Sequence, residues 1–174
     1  MGIQFETDYN METLTAMAKG LRKTVRKKRS RRVHIFAAVV LILGLLTILA
    51  TTAGGESLGA SGVVTLLAML VVILVSLFED RLNAWFARKR LLPGTEHAAA
   101  TFEEDGYVSA TGVTESRFSY AQIVAVAETA RYFVFALSSH HTQAYDKRTI
   151  RGGSVEDFRA FIAEKTGKPI ANIK

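Results

Sequence analysis

The sequence predicts an α+β membrane protein, in which a two-helix transmembrane hairpin carries a small antiparallel β-sheet domain closed by a C-terminal helix. Three observations predict it. Two apolar runs without Asp, Glu, Lys or Arg follow one another, at 33–53 and 60–78. After residue 95 the pattern changes to apolar and polar alternation broken by frequent turn signals. The chain then ends in a capped amphipathic helix. Four parts result: an N-terminal strand and basic amphipathic helix at 1–32, the hairpin at 33–78, a juxtamembrane helix and linker at 79–94, and the sheet domain at 95–174.

The N-terminal "IQFETDY", Ile3 to Tyr9, alternates like a strand. Asp8 or Asn10 can cap a following helix that carries Met11, Leu14, Met17, Leu21 and Val25 on one face and basic residues on the other. If both termini share one side of the membrane, this strand can join the C-terminal sheet, giving seven strands and one closing helix.

Net charge of +6 and a pI near 9.7 raise nucleic acid as a partner, so the placement of the charge matters more than its total. Residues 19–32 contain nine Lys or Arg and no acid; taking nine from +6 leaves the remainder at −3. The protein therefore carries one basic collar and is otherwise slightly acidic. Arg26, Lys27, Lys28, Arg29, Arg31 and Arg32 stand next to the first apolar run.

That run, Val33 to Ala53, is 21 residues long, enough at a rise of about 1.5 Å per residue to cross a bilayer core of about 30 Å. The second run is shorter, and Ala60 and Ser61 extend it. Both are apolar around their whole circumference, which argues against buried core helices. The connecting "GGESLGASG", residues 54–62, permits only a tight hairpin and contains no Lys or Arg. Nine cations precede the first span and Arg81, Arg88, Lys89 and Arg90 follow the second, so the positive-inside rule places both termini in the cytoplasm. A cleaved signal peptide is disfavoured, because the apolar run exceeds the usual h-region of about 7–15 residues and follows a long leader.

In "EDRLNAWFARKR", Glu79 to Arg90, Leu82, Trp85 and Phe86 mix with Arg88, Lys89 and Arg90, as in a helix whose aromatic residues sit at headgroup level. Pro93 and Gly94 end it. Strands are expected near 97–103, 107–112, 115–120, 123–129, 131–138 and 142–147, the first pair joined by the hairpin signal Asp105-Gly106. "RYFVFAL" is apolar on both of its faces and should be covered on both sides. Ser154 and Asp157 form a capping pair for a helix whose face is Val155, Phe158, Phe161 and Ile162, stopped by Gly167 and Pro169.

The segments "ATFEEDGYVSAT", "RFSYAQIVAVAETARYFVFAL", "AYDKRTI" and "SVEDFRAFI" together resemble the C-terminal domain of the bacterial YcxB-like proteins. The shared marks are Phe102, Glu104, Asp105, Gly106, Tyr120, Gln122, Ile123, Val126, Glu128, Lys147 and Arg148, within a strand, basic helix, two-span, sheet order. The sequence departs at Asp146, where a proline often precedes the Lys-Arg pair. The resemblance implies a membrane-attached split-barrel domain like the pleckstrin-homology fold. It implies no established activity.

The sequence holds little that points to chemistry. No cysteine is present, which excludes disulfides, zinc ribbons and a thiol nucleophile. "GESLG" spells a G-x-S-x-G nucleophile elbow around Ser57, but in a short hairpin loop without the strand, helix and acid–base partners that such an elbow needs. His140 and His141 are adjacent and would point to opposite faces of a strand. The acids Glu103, Glu104 and Asp105 lead into a turn, and Glu156 and Asp157 open a helix where the dipole favours them. No ionisable group lies between Ile35 and Ala53 or between Gly62 and Phe78, as an ion pathway would require. Lys147, Arg148 and Arg151 cluster where an acidic headgroup or partner could dock.

The expected function is therefore non-enzymatic and cofactor-free: an integral protein of the bacterial cytoplasmic membrane that presents a domain for protein or lipid-surface binding, of a regulatory or immunity type. Its expected partners are the anionic inner leaflet and another membrane or cytoplasmic protein, and a homo-oligomer is compatible with this reading. The alternatives are a small oligomeric channel or transporter component and a membrane-tethered nucleic-acid binder. The second lacks any base-reading motif.

Overall fold

A computed structural model describes residues 2–55 and 57–173 of the chain. Strand β1 (Ile3–Asp8) pairs antiparallel with β2 (His97–Phe102), with Phe5 opposite Ala100 and Ile3 opposite Phe102. The N-terminal strand thus joins the distant sheet. The β2 strand continues through a tight turn at Asp105-Gly106 into β3 (Tyr107–Thr111), then β4 (Glu115–Phe118). Glu103 N–H donates to the Gly106 carbonyl at 2.8 Å, and a side chain at Gly106 would lie 2.5 Å from the Phe118 carbonyl oxygen.

A 3₁₀ turn at Tyr120–Gln122 leads to the second sheet. It contains β5 (Ala125–Glu128), β6 (Tyr132–Ala136), β7 (Thr142–Asp146) and β8 (Ile170–Asn172), in the order β7-β6-β5-β8. The described strands number eight, not the seven that the sequence leads one to expect. They form two four-stranded sheets, and the eighth, β8, pairs parallel with β5. Three residues are too few to show an alternating pattern, so β8 depends on the sheet edge it meets rather than on its own sequence.

Helix α1 (Met11–Lys23) starts at Asn10, whose side chain accepts from the Glu12 and Thr13 N–H groups. The sequence pattern extends its apolar face to Val25, but the helix ends at Thr24, whose N–H and hydroxyl both donate to the Gly20 carbonyl. The collar is thereby divided, since α2 (Lys27–Ala53) begins as a new helix well before the apolar run. Helices α3 (Ala60–Leu77) and α4 (Glu79–Lys89) follow, and α5 (Val155–Thr166) closes the second half. The Ser154–Asp157 capping box and a left-handed Gly167 (φ 61°) bound α5 as its sequence predicts.

The main core is aromatic. Phe158 of α5 is fully buried, with its ring centroid 4.6 Å from Phe5, 4.8 Å from Phe102 and 5.0 Å from Phe133. The opposite face of β6 packs Tyr132 and Val134 against Ala16 and Met17 of α1, so this strand is covered on both sides. The approach of α1 requires Gly20: a Cβ there would meet Val134 Cγ1 at 2.8 Å.

Helices α2 and α3 are long and apolar enough to cross a membrane, and their side chains face outward rather than into the sheet domain. They pack on each other, with Gly44 lying against Met69. Helix α4 follows α3 directly and packs along α1, burying Ala84 completely.

Candidate functional site

A cleft of about 880 Å³ lies where α1, α4, the β5–β6 turn and β8 meet. Its apolar walls include Met11, Ala16, Ala130, the Tyr132 ring and Ile173; Lys19, Arg81, Arg131 and Lys147 bring charge to it. Two ionic frames hold the walls.

The first frame centres on Glu128, whose side chain is only 5% exposed. Arg159 donates to both carboxylate oxygens at 2.9 and 2.8 Å, and the Lys147 ammonium donates to Oε1 at 2.6 Å and to the Thr129 carbonyl at 2.6 Å. These donors, Arg159 foremost, outweigh desolvation and hold the Glu128 pKa at about 2. The second frame centres on Asp146, which accepts from Arg131 at 2.9 Å and from Arg148 at 3.0 Å. Arg131 also pairs with Glu12 of α1. Thr13 donates to the Tyr132 hydroxyl at 3.1 Å, joining α1 to β6 beneath the frame. Both buried carboxylates accept from several donors and so fasten elements together.

Outside the cleft, α1 and α4 are joined by Arg22, which donates to Asp80 through Nε at 2.7 Å and Nη2 at 2.6 Å. Glu79 lies 3.8 Å from Arg22 and 3.7 Å from His34 of α2. Three helices converge on these two acids.

The residues singled out in the sequence fall in different places. Lys147 points inward, only 13% exposed, whereas Arg148 and Arg151 are 65% and 69% exposed and pair with Asp146 and Glu6. The turn after Asp146 forms without a proline, because the Asp146 side chain caps the 3₁₀ turn Lys147–Thr149 by accepting from Arg148 N–H. Arg26 donates to the Ser139 carbonyl at 2.6 Å, tying the collar to the β6–β7 hairpin. Lys27, Lys28, Arg29, Arg31 and Arg32 are exposed on the first turns of α2, as are Arg88 and Arg90 near the end of α4. Trp85 is half-exposed, with the Lys89 ammonium 3.6 Å from its ring centroid.

Ser57 is exposed between α2 and α3, and Glu56 of the same G-x-S-x-G string lies outside the described residues. His140 is held by Ser139, while the His141 ring turns toward Phe118. Glu104 pairs with Lys165, and Asp157 caps α5. Among the described residues, no three His, Asp or Glu side chains gather closely enough to hold a metal ion.

Sequence reading did not find the Arg22–Asp80 pair or the Glu128 frame. In the sequence Arg22 is one of nine collar cations, and Asp80 carries no mark of its own. Nothing local marks two residues 58 positions apart as partners.

These features define a mixed α+β chain: a two-sheet domain with an ion-paired cleft, fastened by α1 and α4 to an apolar helical hairpin. Residues 102–162 match the family of YcxB-like proteins, from the end of β2 into α5, as the sequence motifs lead one to expect. No curated protein and no solved structure matches the chain.

Proposed function

We propose that this chain is a non-enzymatic binding protein of the bacterial cytoplasmic membrane. In this reading α2 and α3 span the bilayer as a hairpin, both termini are cytoplasmic, and the two sheets with α5 act as a pleckstrin-homology-like split barrel. That domain binds a protein or the lipid surface, with a regulatory or immunity-type role. The observation that carries the reading is the position of the cleft. It sits between α1 and α4, the two helices that the Arg22–Asp80 pair joins near the foot of the hairpin. A domain tethered by a flexible linker would not need such a pair.

The exposed cations on the first turns of α2 and near the end of α4 support a surface facing anionic headgroups, each adding about 1 kcal/mol of attraction when close to the membrane. The ion-paired carboxylates support binding over catalysis. To test this, a photo-crosslinking residue replaces Ala16 in the cleft of the full chain in native membranes. A reproducible protein or lipid adduct is expected. Absence of any adduct from a folded, membrane-inserted chain would contradict the proposal.

A further inference from the structure

The inner face of the first sheet changes character along its length. Phe102, Tyr107 and Phe118 share one rung of paired residues; Ala100, Ser109 and Ser116 share the rung two residues on; Ala98 and Thr111 share the next. Residues two apart on a strand face the same way, so the aromatic rung fills the interior while the Ala, Ser and Thr rungs leave space. Beside the Ser and Thr of these rungs is an open cavity of about 320 Å³, bounded by Leu14 and Met17 of α1, by Leu91 and by the start of β7.

The lining is polar and, His141 apart, carries no basic or acidic side chain. None of the described residues around the cavity is Asp, Glu, Lys or Arg, although these make up 22% of the chain. Gln143 is locked in place because its carbonyl oxygen accepts from Tyr107 and Tyr145, each at 2.7 Å, which leaves its amide N–H groups as donors without a partner among the described residues. The Tyr9 hydroxyl and those of Ser109, Ser116 and Thr142 likewise have no partner among the described residues. Burial of Tyr9 pushes its hydroxyl pKa to about 12, so this group stays a neutral donor and acceptor.

We propose that this cavity binds a neutral polyol about the size of one sugar ring. A charged ligand would meet no Asp, Glu, Lys or Arg there, only the exposed His141 at the rim, and a purely apolar one would strand the hydroxyls and the amide. A polyol pairs with them and can lay its C–H face on Phe118 and Met17. The volume stands at the small end of the ligand-site range of roughly 300–1,000 Å³. The ring is either free or the headgroup of a neutral glycolipid.

The test uses the full chain in an amine-oxide detergent, which has no sugar headgroup to compete. Methyl β-glucoside is titrated by calorimetry, with inorganic phosphate alongside. Monoglucosyl diacylglycerol in nanodiscs is compared with phosphatidylcholine alone. Saturable binding of a neutral probe is expected, weakened at least about tenfold by Ser109→Val with unchanged thermal stability; that factor corresponds to about 1.4 kcal/mol. Ser116→Val, on the exposed edge strand β4, serves if Ser109→Val fails to fold. Binding of both neutral probes assigns the sugar ring itself as the ligand, and binding of the glycolipid alone assigns a lipid headgroup. The proposal is overturned if neither neutral probe binds, if binding survives both substitutions, or if phosphate occupies the site instead.

Discussion

Arg22 grips Asp80 through two parallel hydrogen bonds of 2.7 and 2.6 Å, and both side chains are largely shielded, at 20% and 15% exposure. This two-point contact joins α1, which packs on the second sheet, to α4, which continues directly from the apolar hairpin. The Asp80 carboxylate accordingly raises the Arg22 pKa, chiefly through the hydrogen bond. Arg22→Ala and Asp80→Asn should each destabilise the folded chain by about 1–3 kcal/mol. The double variant should cost little more than either single one, because the two act as one unit. Thermal unfolding of the full chain in detergent measures this; strictly additive losses would show the pair to be uncoupled.

Glu128 makes stability depend on acid pH. Its folded pKa of about 2 lies below the ordinary glutamate value of about 4.3, so its contribution is complete above that ordinary value and is lost as pH falls toward 2. The amount is on the order of 2 kcal/mol after allowance for solvent screening. Glu128→Gln should lower stability at neutral pH and flatten the loss between about pH 5 and pH 2. Denaturation curves across that range decide it. An unchanged slope in the variant would remove Glu128 from the account.

All five tyrosines, at 9, 107, 120, 132 and 145, have pKa values raised by burial. The unfolded chain loses these protons near pH 10 while the folded chain keeps them, so stability falls as pH rises above about 10. Phenolate absorbance should therefore appear late and together with loss of the β-sheet circular dichroism. A tyrosine ionising near pH 10 in the intact fold would contradict this.

Gly20→Ala places a methyl group 2.8 Å from Val134 Cγ1 on a two-sided strand that cannot recede. The expected loss is about 1–3 kcal/mol, with partial recovery in a Gly20→Ala, Val134→Ala double variant that vacates the contested volume. Unfolding temperatures of the two chains provide the comparison.

The proposed membrane topology can be checked without removing native thiols, since the sequence contains no cysteine. Ser57→Cys, in the exposed connection between α2 and α3, should react with a membrane-impermeant maleimide on intact cells. Thr114→Cys, in the exposed β3–β4 turn, should react only after permeabilisation. The reverse pattern would invert the orientation.

Much of the fold is legible because its signals are local. Asp105-Gly106 admits a tight turn, and Ser154 with Asp157 satisfies the first N–H groups of α5 whatever lies beyond them. The uncharged runs at 33–53 and 60–78 announce long apolar helices, and the double-sided pattern of β6 announces a strand covered on both faces. The candidate sites were less legible. The Lys147, Arg148 and Arg151 cluster looks uniform in sequence, yet Lys147 is drawn inside by Glu128 while its neighbours stay exposed. Charge pattern records which residues are cations and says nothing about which carboxylate a distant strand will bring beside them.

By itself the sequence placed most helices and strands to within a few residues, because capping, turn geometry and hydrophobic period act between residues a few positions apart, but not the break at Thr24, the start of α2 at Lys27, the 3₁₀ turns at Tyr120–Gln122 and Lys147–Thr149, or the short β8. Tertiary structure alone decided the division into two sheets, the parallel seat of β8, the Arg22–Asp80 grip and the hydroxyl-lined cavity beside Gln143. Each of these needs segments far apart in the chain to meet. Such meetings are selected by the burial and pairing that the whole assembly makes available, not by the preference of any one segment.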